Sequence, residues 1–139
     1  MPTSPRSPLT DLAGLGLLAW AVLLGYVSVP WILSRGLLWD GGISLLGAVL
    51  AAAHLVAALG VTRRAPWARR LGLWMAGVGL FGSGVVLLTL GGSVFGPAAP
   101  AAGASPLVVL AIPAGMVAVY AVIFVLLLRA GSEFTRIAG

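Results

Sequence analysis

The charged residues divide this sequence into three long stretches that carry no charge at all. Residues 12–34, 41–62 and 71–128 contain 23, 22 and 58 residues, respectively, without Asp, Glu, Lys or Arg. A helix needs about 20 predominantly apolar residues to cross the hydrocarbon core of a bilayer. The first two stretches therefore have the length of one spanning helix each, and the third is too long for a single helix.

The third stretch divides at residues 93–105, a segment (SVFGPAAPAAGAS) rich in Pro, Gly and Ala. Such residues are typical of a loop between two periodic segments. The sequence therefore predicts an all-α membrane protein, a four-transmembrane-helix bundle whose helices cover 12–33, 43–62, 71–92 and 106–128.

Composition favours the same class. Of the 139 residues, 60% are hydrophobic and 8% are charged, whereas a soluble domain carries about 25% charged residues to solvate its surface. The net charge of +5 comes from basic residues beside apolar runs, which indicates membrane orientation and not nucleic-acid binding. All basic residues are Arg, and Ala, Gly and Leu abound, as in proteins of high-GC bacteria. Cysteine is absent, which excludes thiolate catalysis and cysteine metal sites.

The distribution of arginines predicts the orientation. Cytoplasmic segments of membrane proteins carry an excess of basic residues. With the N-terminus inside, only Arg35 lies outside, and the other seven lie in the cytoplasm: Arg6, Arg63, Arg64, Arg69, Arg70, Arg129 and Arg136. We therefore expect a multi-pass protein of the cytoplasmic (inner) membrane with both termini in the cytoplasm. Residues 1–10 are expected to be a disordered N-terminus, and residues 130–139 a cytoplasmic tail.

Small residues recur at helical spacing on two of the predicted helices, and membrane helices associate through such faces. We expect helices two and three to pack against each other through them. The faces comprise Gly47, Ala51, His54 and Ala58 on helix two, and Gly72, Ala76, Gly79 and Ser83 on helix three.

His54 is the only ionisable side chain well inside a predicted span. His54, Trp20 and Tyr120 each lie eight residues from the predicted cytoplasmic end of their helix, or ~12 Å at 1.5 Å per residue. The sequence therefore predicts an intramembrane polar layer in which His54 and Tyr120 form a hydrogen bond beside Trp20. An intramembrane ionisable residue suggests function by default, as a proton relay or a ligand contact. Because no charged residue shares that depth, we favour an imidazole that is simply hydrogen-bonded.

No metal or other cofactor is expected. Zinc sites need three or four His, Cys or carboxylate ligands, and the sequence offers His54 with the distant Asp11, Asp40 and Glu133. Haem would need a second axial ligand, and the spacing of residues around His54 does not favour one.

The predicted loop between helices two and three carries four arginines, namely Arg63, Arg64, Arg69 and Arg70. Arginines at a membrane surface attract anionic lipid headgroups, with about 1 kcal/mol for each. These residues are therefore candidate contacts for anionic lipids. The alternative is that they only set the topology, since every cytoplasmic loop needs basic residues.

Residues 47–90 carry a small-residue helix, the segment Arg-Arg-Ala-Pro-Trp-Ala-Arg-Arg and a Gly-rich helix that opens with Leu-Gly-Leu. This pattern resembles uncharacterised small four-helix integral membrane proteins of high-GC bacteria, and the resemblance implies a fold but no activity. Small multidrug transporters are similar in size, but they carry an essential membrane-embedded Glu in the first helix, where this chain has only Asp11 at the helix mouth. Fluoride channels are similar in length, but their dual topology conflicts with the arginine bias.

The sequence thus favours a non-enzymatic accessory or scaffold component that binds lipid or a partner subunit. The alternative is a small homo-oligomeric transporter or channel for a neutral or apolar solute, with His54, Tyr120 and Ser83 near its path. A membrane enzyme is less favoured, because no nucleophile with a carboxylate–histidine partnership is visible.

Overall fold

The chain folds into four long helices and one short helix. The computed structural model describes residues 8–35, 41–95 and 105–135. Its four long helices are long and apolar enough to cross a membrane, as predicted. The helices are α1 (Pro8–Arg35), α2 (Gly41–Thr62), α3 (Pro66–Phe95), α4 (Pro106–Arg129) and α5 (Gly131–Thr135).

The first helix begins earlier than the charge pattern predicted. It starts at Pro8, a residue type that the first turn of a helix tolerates because the N–H it lacks would be unpaired there. The assignment of residues 1–10 to a disordered segment is therefore wrong for the last three of them, and Thr10 is fully buried. Residues 1–7 lie outside the described ranges.

The third helix also begins earlier, at Pro66, so that Arg69 and Arg70 belong to its first turns and not to a loop. Within the segment predicted to be a cytoplasmic tail, residues 131–135 form α5. Phe134 of α5 is 3% exposed and joins the core of the bundle. An aromatic side chain that can be buried explains why this part of the tail folds back.

The turn between α2 and α3 is short and closed by backbone hydrogen bonds. The N–H of Ala65 donates to the carbonyl of Gly60 at 2.9 Å, and the N–H of Arg64 donates to that of Val61 at 2.9 Å. This is the Schellman pattern of helix termination, which places one residue in the left-handed region. Here that residue is Arg64, with φ 56°, and Pro66 starts the next helix immediately afterwards.

Helices adjacent in sequence form the two most extensive packing pairs, α1 with α2 and α3 with α4. Helices α2 and α3 do contact each other, as predicted, but less extensively than these two pairs. The small residues serve other neighbours, since Gly47 lies directly against Ser28 of α1, and Gly79 against the Tyr120 ring of α4. Small-residue spacing marks a close contact, but it does not say which helix makes it.

One apolar layer joins all four long helices. A Cβ added to Gly72 of α3 would lie 2.9 Å from Leu127 of α4, 3.5 Å from Leu17 of α1 and 3.6 Å from Val61 of α2. The three side chains are fully buried. The layer lies near the α2–α3 turn, and we call the half of the bundle that contains this turn the turn half.

The opposite half, which we call the open half, is packed more loosely. Beyond Ser83, none of the described residues of α3 is buried. In the described start of α4, the first buried side chain is that of Pro113, and the helix continues through it. Ser105 occupies the N-cap of α4 with Pro at the next position, but its hydroxyl makes no capping hydrogen bond. The tightly packed core therefore lies mainly in the turn half.

Candidate functional site

The structure brings the three residues of the predicted polar layer together. The Tyr120 hydroxyl lies 3.3 Å from Nε2 of His54, and the Trp20 and Tyr120 rings stack with centroids 4.8 Å apart and planes within 5°. His54 and Tyr120 are 2% and 4% exposed. Three helices, α1, α2 and α4, thus meet in one buried polar and aromatic cluster.

The hydrogen bonds of His54 define its tautomer. Nδ1 lies 2.7 Å from the carbonyl oxygen of Leu50, one turn earlier in α2. A carbonyl only accepts, so in the neutral ring the proton lies on Nδ1, and Nε2 is left as an acceptor. Tyr120 is then the donor in the contact between α4 and α2. Both ring nitrogens are therefore engaged within the protein.

Trp20 contributes the third ring of the layer and one unpaired polar group. Its face packs on Tyr120, and its side chain is 7% exposed. The buried indole Nε1–H has no hydrogen-bond acceptor among the described residues. A buried donor without a partner costs about 1–3 kcal/mol. The packing of the Trp20 ring on Tyr120 must offset this cost.

The polar layer lies about two helical turns from the apolar layer. His54, Tyr120 and Gly79 each lie seven residues from the member of the apolar layer on their own helix, a separation of ~10 Å. Gly79 lies directly against the Tyr120 ring, so that a Cβ at this position would overlap it. The absence of a side chain on α3 therefore makes room for the tyrosine that reaches α2.

Chemically, the layer links helices. The Tyr120–His54 contact spans 66 residues of sequence, and the stacked Trp20 adds α1 to it. Ser83, one turn beyond Gly79, donates to the Gly79 carbonyl at 2.6 Å and so satisfies itself within α3. Among the residues that the structure describes, there is no group of three or more His, Cys, Asp and Glu side chains placed to hold a metal ion.

The four arginines predicted to contact anionic lipids differ in their surroundings. Arg63 and Arg70 are exposed, whereas Arg64 and Arg69 are half-buried. Arg69 points towards α4. Its Nε donates to the carbonyl of Leu127 at 3.0 Å, so one of the four has a structural role within the bundle.

Arg69 binds the last turn of α4, where backbone carbonyls have no partner within the helix. Besides the Nε contact, Nη2 lies 3.4 Å from the carbonyl oxygen of Leu128. A cation at this end of a helix also interacts favourably with the helix dipole. Gly131 makes the approach possible, because a Cβ there would lie 2.8 Å from Nη2 of Arg69.

Sequence reasoning missed this contact. Arg69 and Leu127 are 58 residues apart, and the arginine was grouped with its neighbours because all four follow one another in a basic segment. The only local signal was Gly131, three residues after the predicted end of the last helix, and the position of Arg69 explains why a residue without a side chain is needed there.

No protein-family model, curated protein sequence or solved structure matches this chain. The resemblance to small four-helix membrane proteins of high-GC bacteria therefore stays a prediction from the sequence.

Proposed function

We propose that this chain is a four-helix protein of the bacterial cytoplasmic membrane with both termini in the cytoplasm. It acts as a non-enzymatic accessory or scaffold component, and it binds lipid or a partner subunit at its arginine-bearing end. The observation that carries the proposal is the contrast between two surfaces. The sides of the helices are apolar, whereas the end of the bundle that contains the α2–α3 turn, which we call the turn end, carries exposed arginines.

The surface of the four helices supports insertion into a bilayer. In the most hydrophobic stretches of α3 and α4, only 17% of the residues are buried within the bundle. The rest place Leu, Val, Ile and Phe on the outside, including Phe81 at 75% and Leu88 at 78% exposure. In water an apolar surface of this extent would aggregate, whereas hydrocarbon solvates it.

The ends of the helices support the orientation. The exposed arginines Arg63, Arg70 and Arg129 follow α2, begin α3 and end α4, and these three helix ends meet at the turn end of the bundle. Basic residues concentrate on the cytoplasmic side of bacterial membrane proteins. The turn end is therefore the cytoplasmic end in our proposal.

The engaged polar groups support a non-enzymatic role. The hydroxyls of Ser83, Thr89 and Ser93 each donate to a carbonyl four residues earlier in α3, the ordinary arrangement for hydroxyls within apolar helices. His54 has partners on both nitrogens. The transporter alternative is less favoured for the same reason, since His54, Tyr120 and Ser83 satisfy one another or their own helices.

A labelling experiment tests the orientation. The chain contains no cysteine, so single-cysteine variants need no altered background. With a membrane-impermeant maleimide on intact cells, we expect Ala99→Cys, in the α3–α4 connection, to be labelled directly. Ser132→Cys, exposed at the turn end, should be labelled only after permeabilisation. The reverse pattern would overturn the proposed orientation.

Photo-crosslinking in native membranes tests the accessory role. A benzophenone amino acid at Trp67, which is 52% exposed at the turn end, should capture one defined protein. The same amino acid at Leu107, 77% exposed in the open half, is the matched control and should capture none. A protein that purifies alone as a homo-oligomer and moves a solute, with flux lost in His54→Ala, would favour the transporter instead.

A further inference from the structure

An apolar groove runs along the outer face of α3 from its arginine-bearing end. It has a volume of 570 Å³ and is lined by Arg70, Leu73, Trp74, Gly77, Val78, Phe81 and Phe124. Phe124 is its contribution from α4. Every lining side chain except that of Arg70 is apolar, so the groove has one charged end.

The dimensions of the groove correspond to one leaflet of a bilayer. Its α3 residues extend from Arg70 to Phe81, 11 residues along the helix, or ~16 Å at 1.5 Å per residue. The hydrocarbon core is about 30 Å thick, so half of it is about 15 Å. If the phosphate of a phospholipid lies at the level of Arg70, one of its acyl chains would thus occupy the groove along its length.

Arg70 is available for such a contact, in contrast to its neighbour. Arg69 is held by the carbonyls of Leu127 and Leu128, whereas Arg70 is exposed and has no hydrogen bond or ion pair within the described residues. An unengaged guanidinium provides several N–H donors that match the oxygens of a phosphate. The charge at the groove end therefore complements an anionic headgroup.

Gly77 forms the floor of the groove. A Cβ at this position would lie 4.0 Å from the ring of Phe124 and touch nothing closer. The space above it is bounded by Trp74 and Phe81, which are 72% and 75% exposed. Two aromatic side chains one helical turn on either side of a glycine thus leave a slot between them.

We propose that this groove binds one anionic phospholipid of the cytoplasmic leaflet, with its phosphate on Arg70 and one acyl chain over Gly77. The inference rests on the proposed function, because it names the site and the class of lipid at the arginine-bearing end. A partner helix is less favoured as the occupant, because the groove combines a single charge at one end with apolar side chains over the length of one leaflet.

Native mass spectrometry of the full chain in detergent tests the assignment. We expect dioleoylphosphatidylglycerol to be retained in preference to dioleoylphosphatidylcholine. Arg70→Gln should weaken phosphatidylglycerol binding about fivefold, the effect of one arginine at a lipid surface. The matched control is Arg63→Gln, which removes an exposed arginine outside the groove and should change binding less than twofold. Equal losses in the two variants would overturn the proposal in favour of general surface attraction.

A second pair of variants tests the acyl chain. Gly77→Leu fills the floor of the groove and should reduce retention of both lipids. Gly91→Leu is its control, since nothing lies within 4 Å of a Cβ there, and should leave retention unchanged. Unchanged binding in Gly77→Leu would overturn the groove as the site, and so would full competition by soluble glycerol phosphate. This assay depends on neither topology nor a partner subunit, so it can fail while the proposed function stands.

Discussion

Around α3 and α4, the two halves of the bundle use glycine in opposite ways. In the turn half, glycines allow close contact, since a Cβ on Gly16 would lie 2.9 Å from Ile123, and one on Gly79 would overlap the ring of Tyr120. In the open half, Gly84, Gly91 and Gly115 have nothing within 4 Å of an added Cβ. Around these two helices, the same residue type therefore marks tight packing at one end and empty space at the other, whereas on the α1–α2 side Gly47 is in close contact with Ser28.

This difference shows where the fold is specified. In the turn half, the four helices are held together by the apolar layer, the polar layer and the hydrogen bonds from Arg69 to the last turn of α4. In the open half, the described part of α3 has no buried layer, and its glycines meet no neighbour. Substitutions in the open half of α3 should therefore change stability less than substitutions in the turn half.

The largest expected effect comes from filling the contact at Gly79. Gly79→Leu should lower the free energy of unfolding by about 3 kcal/mol, because overpacking forces Tyr120 away from His54. Reversible unfolding in mixed micelles of SDS and dodecyl maltoside, followed by tryptophan fluorescence, measures this. Gly115→Leu is the control and should unfold like the parent chain. Equal sensitivity of the two positions would abolish the distinction between the halves.

Arg69→Gln should lower the free energy of unfolding by about 1.5 kcal/mol, because the last carbonyls of α4 lose a charged donor. The same unfolding assay measures it. Arg70→Gln, at the neighbouring position, changes the same side chain without breaking a hydrogen bond and should have little effect. If both variants lose equal stability, the hydrogen bonds of Arg69 to α4 do not stabilise the bundle.

Tyr120→Phe should cost about 0.6 kcal/mol, the average for an interhelical hydrogen bond in a membrane protein. It removes the donor to His54 and keeps the stack on Trp20. The other tyrosine provides the control, since Tyr26 is 78% exposed and Tyr26→Phe should be neutral. A double variant with His54→Phe should then show no additional cost from the tyrosine change, whereas additive losses would argue against the pairing.

The smallest effect is expected in the open half. Gly91→Ala should raise the free energy of unfolding by up to about 0.5 kcal/mol, because alanine has the higher helix propensity and meets no neighbour. Gly72→Ala is the comparison in the turn half. There the Cβ would lie 2.9 Å from Leu127, and we expect a loss of stability. A destabilised Gly91→Ala variant would indicate that the open half is packed after all.

The number of long helices and the polar layer could be predicted from the sequence for simple physical reasons. Uninterrupted apolar runs define spans, and the fixed rise of a helix places His54, Trp20 and Tyr120 at one depth once the span ends are known. Helix α1 begins four residues before the predicted start. The depth of Trp20 is counted from the start of the uncharged run at residue 12, and the additional helical turn does not move that point.

Helix pairing and the role of Arg69 could not be predicted. Small residues occur at suitable spacing on several helices, so the pattern does not distinguish α1 or α4 as the neighbour of a given face. The position of Arg69 in a basic segment indicated a surface role. Its actual partner is a carbonyl 58 residues away, and the local sequence carries no sign of such a contact. Both depend on which helices meet, which only the three-dimensional arrangement gives.

The separation of the hydrogen-bonding partners along the chain also bears on how the protein is made. The α1–α2 pair is complete before α3 leaves the ribosome, because its members are adjacent in sequence. The acceptors of Arg69 and the donor to His54 both lie in α4, the last long helix to be synthesised. Until α4 is synthesised, the first three helices therefore hold an unpaired guanidinium and an imidazole short of one partner. A chain that ends before residue 120 would lack both contacts and should be less stable than the full chain.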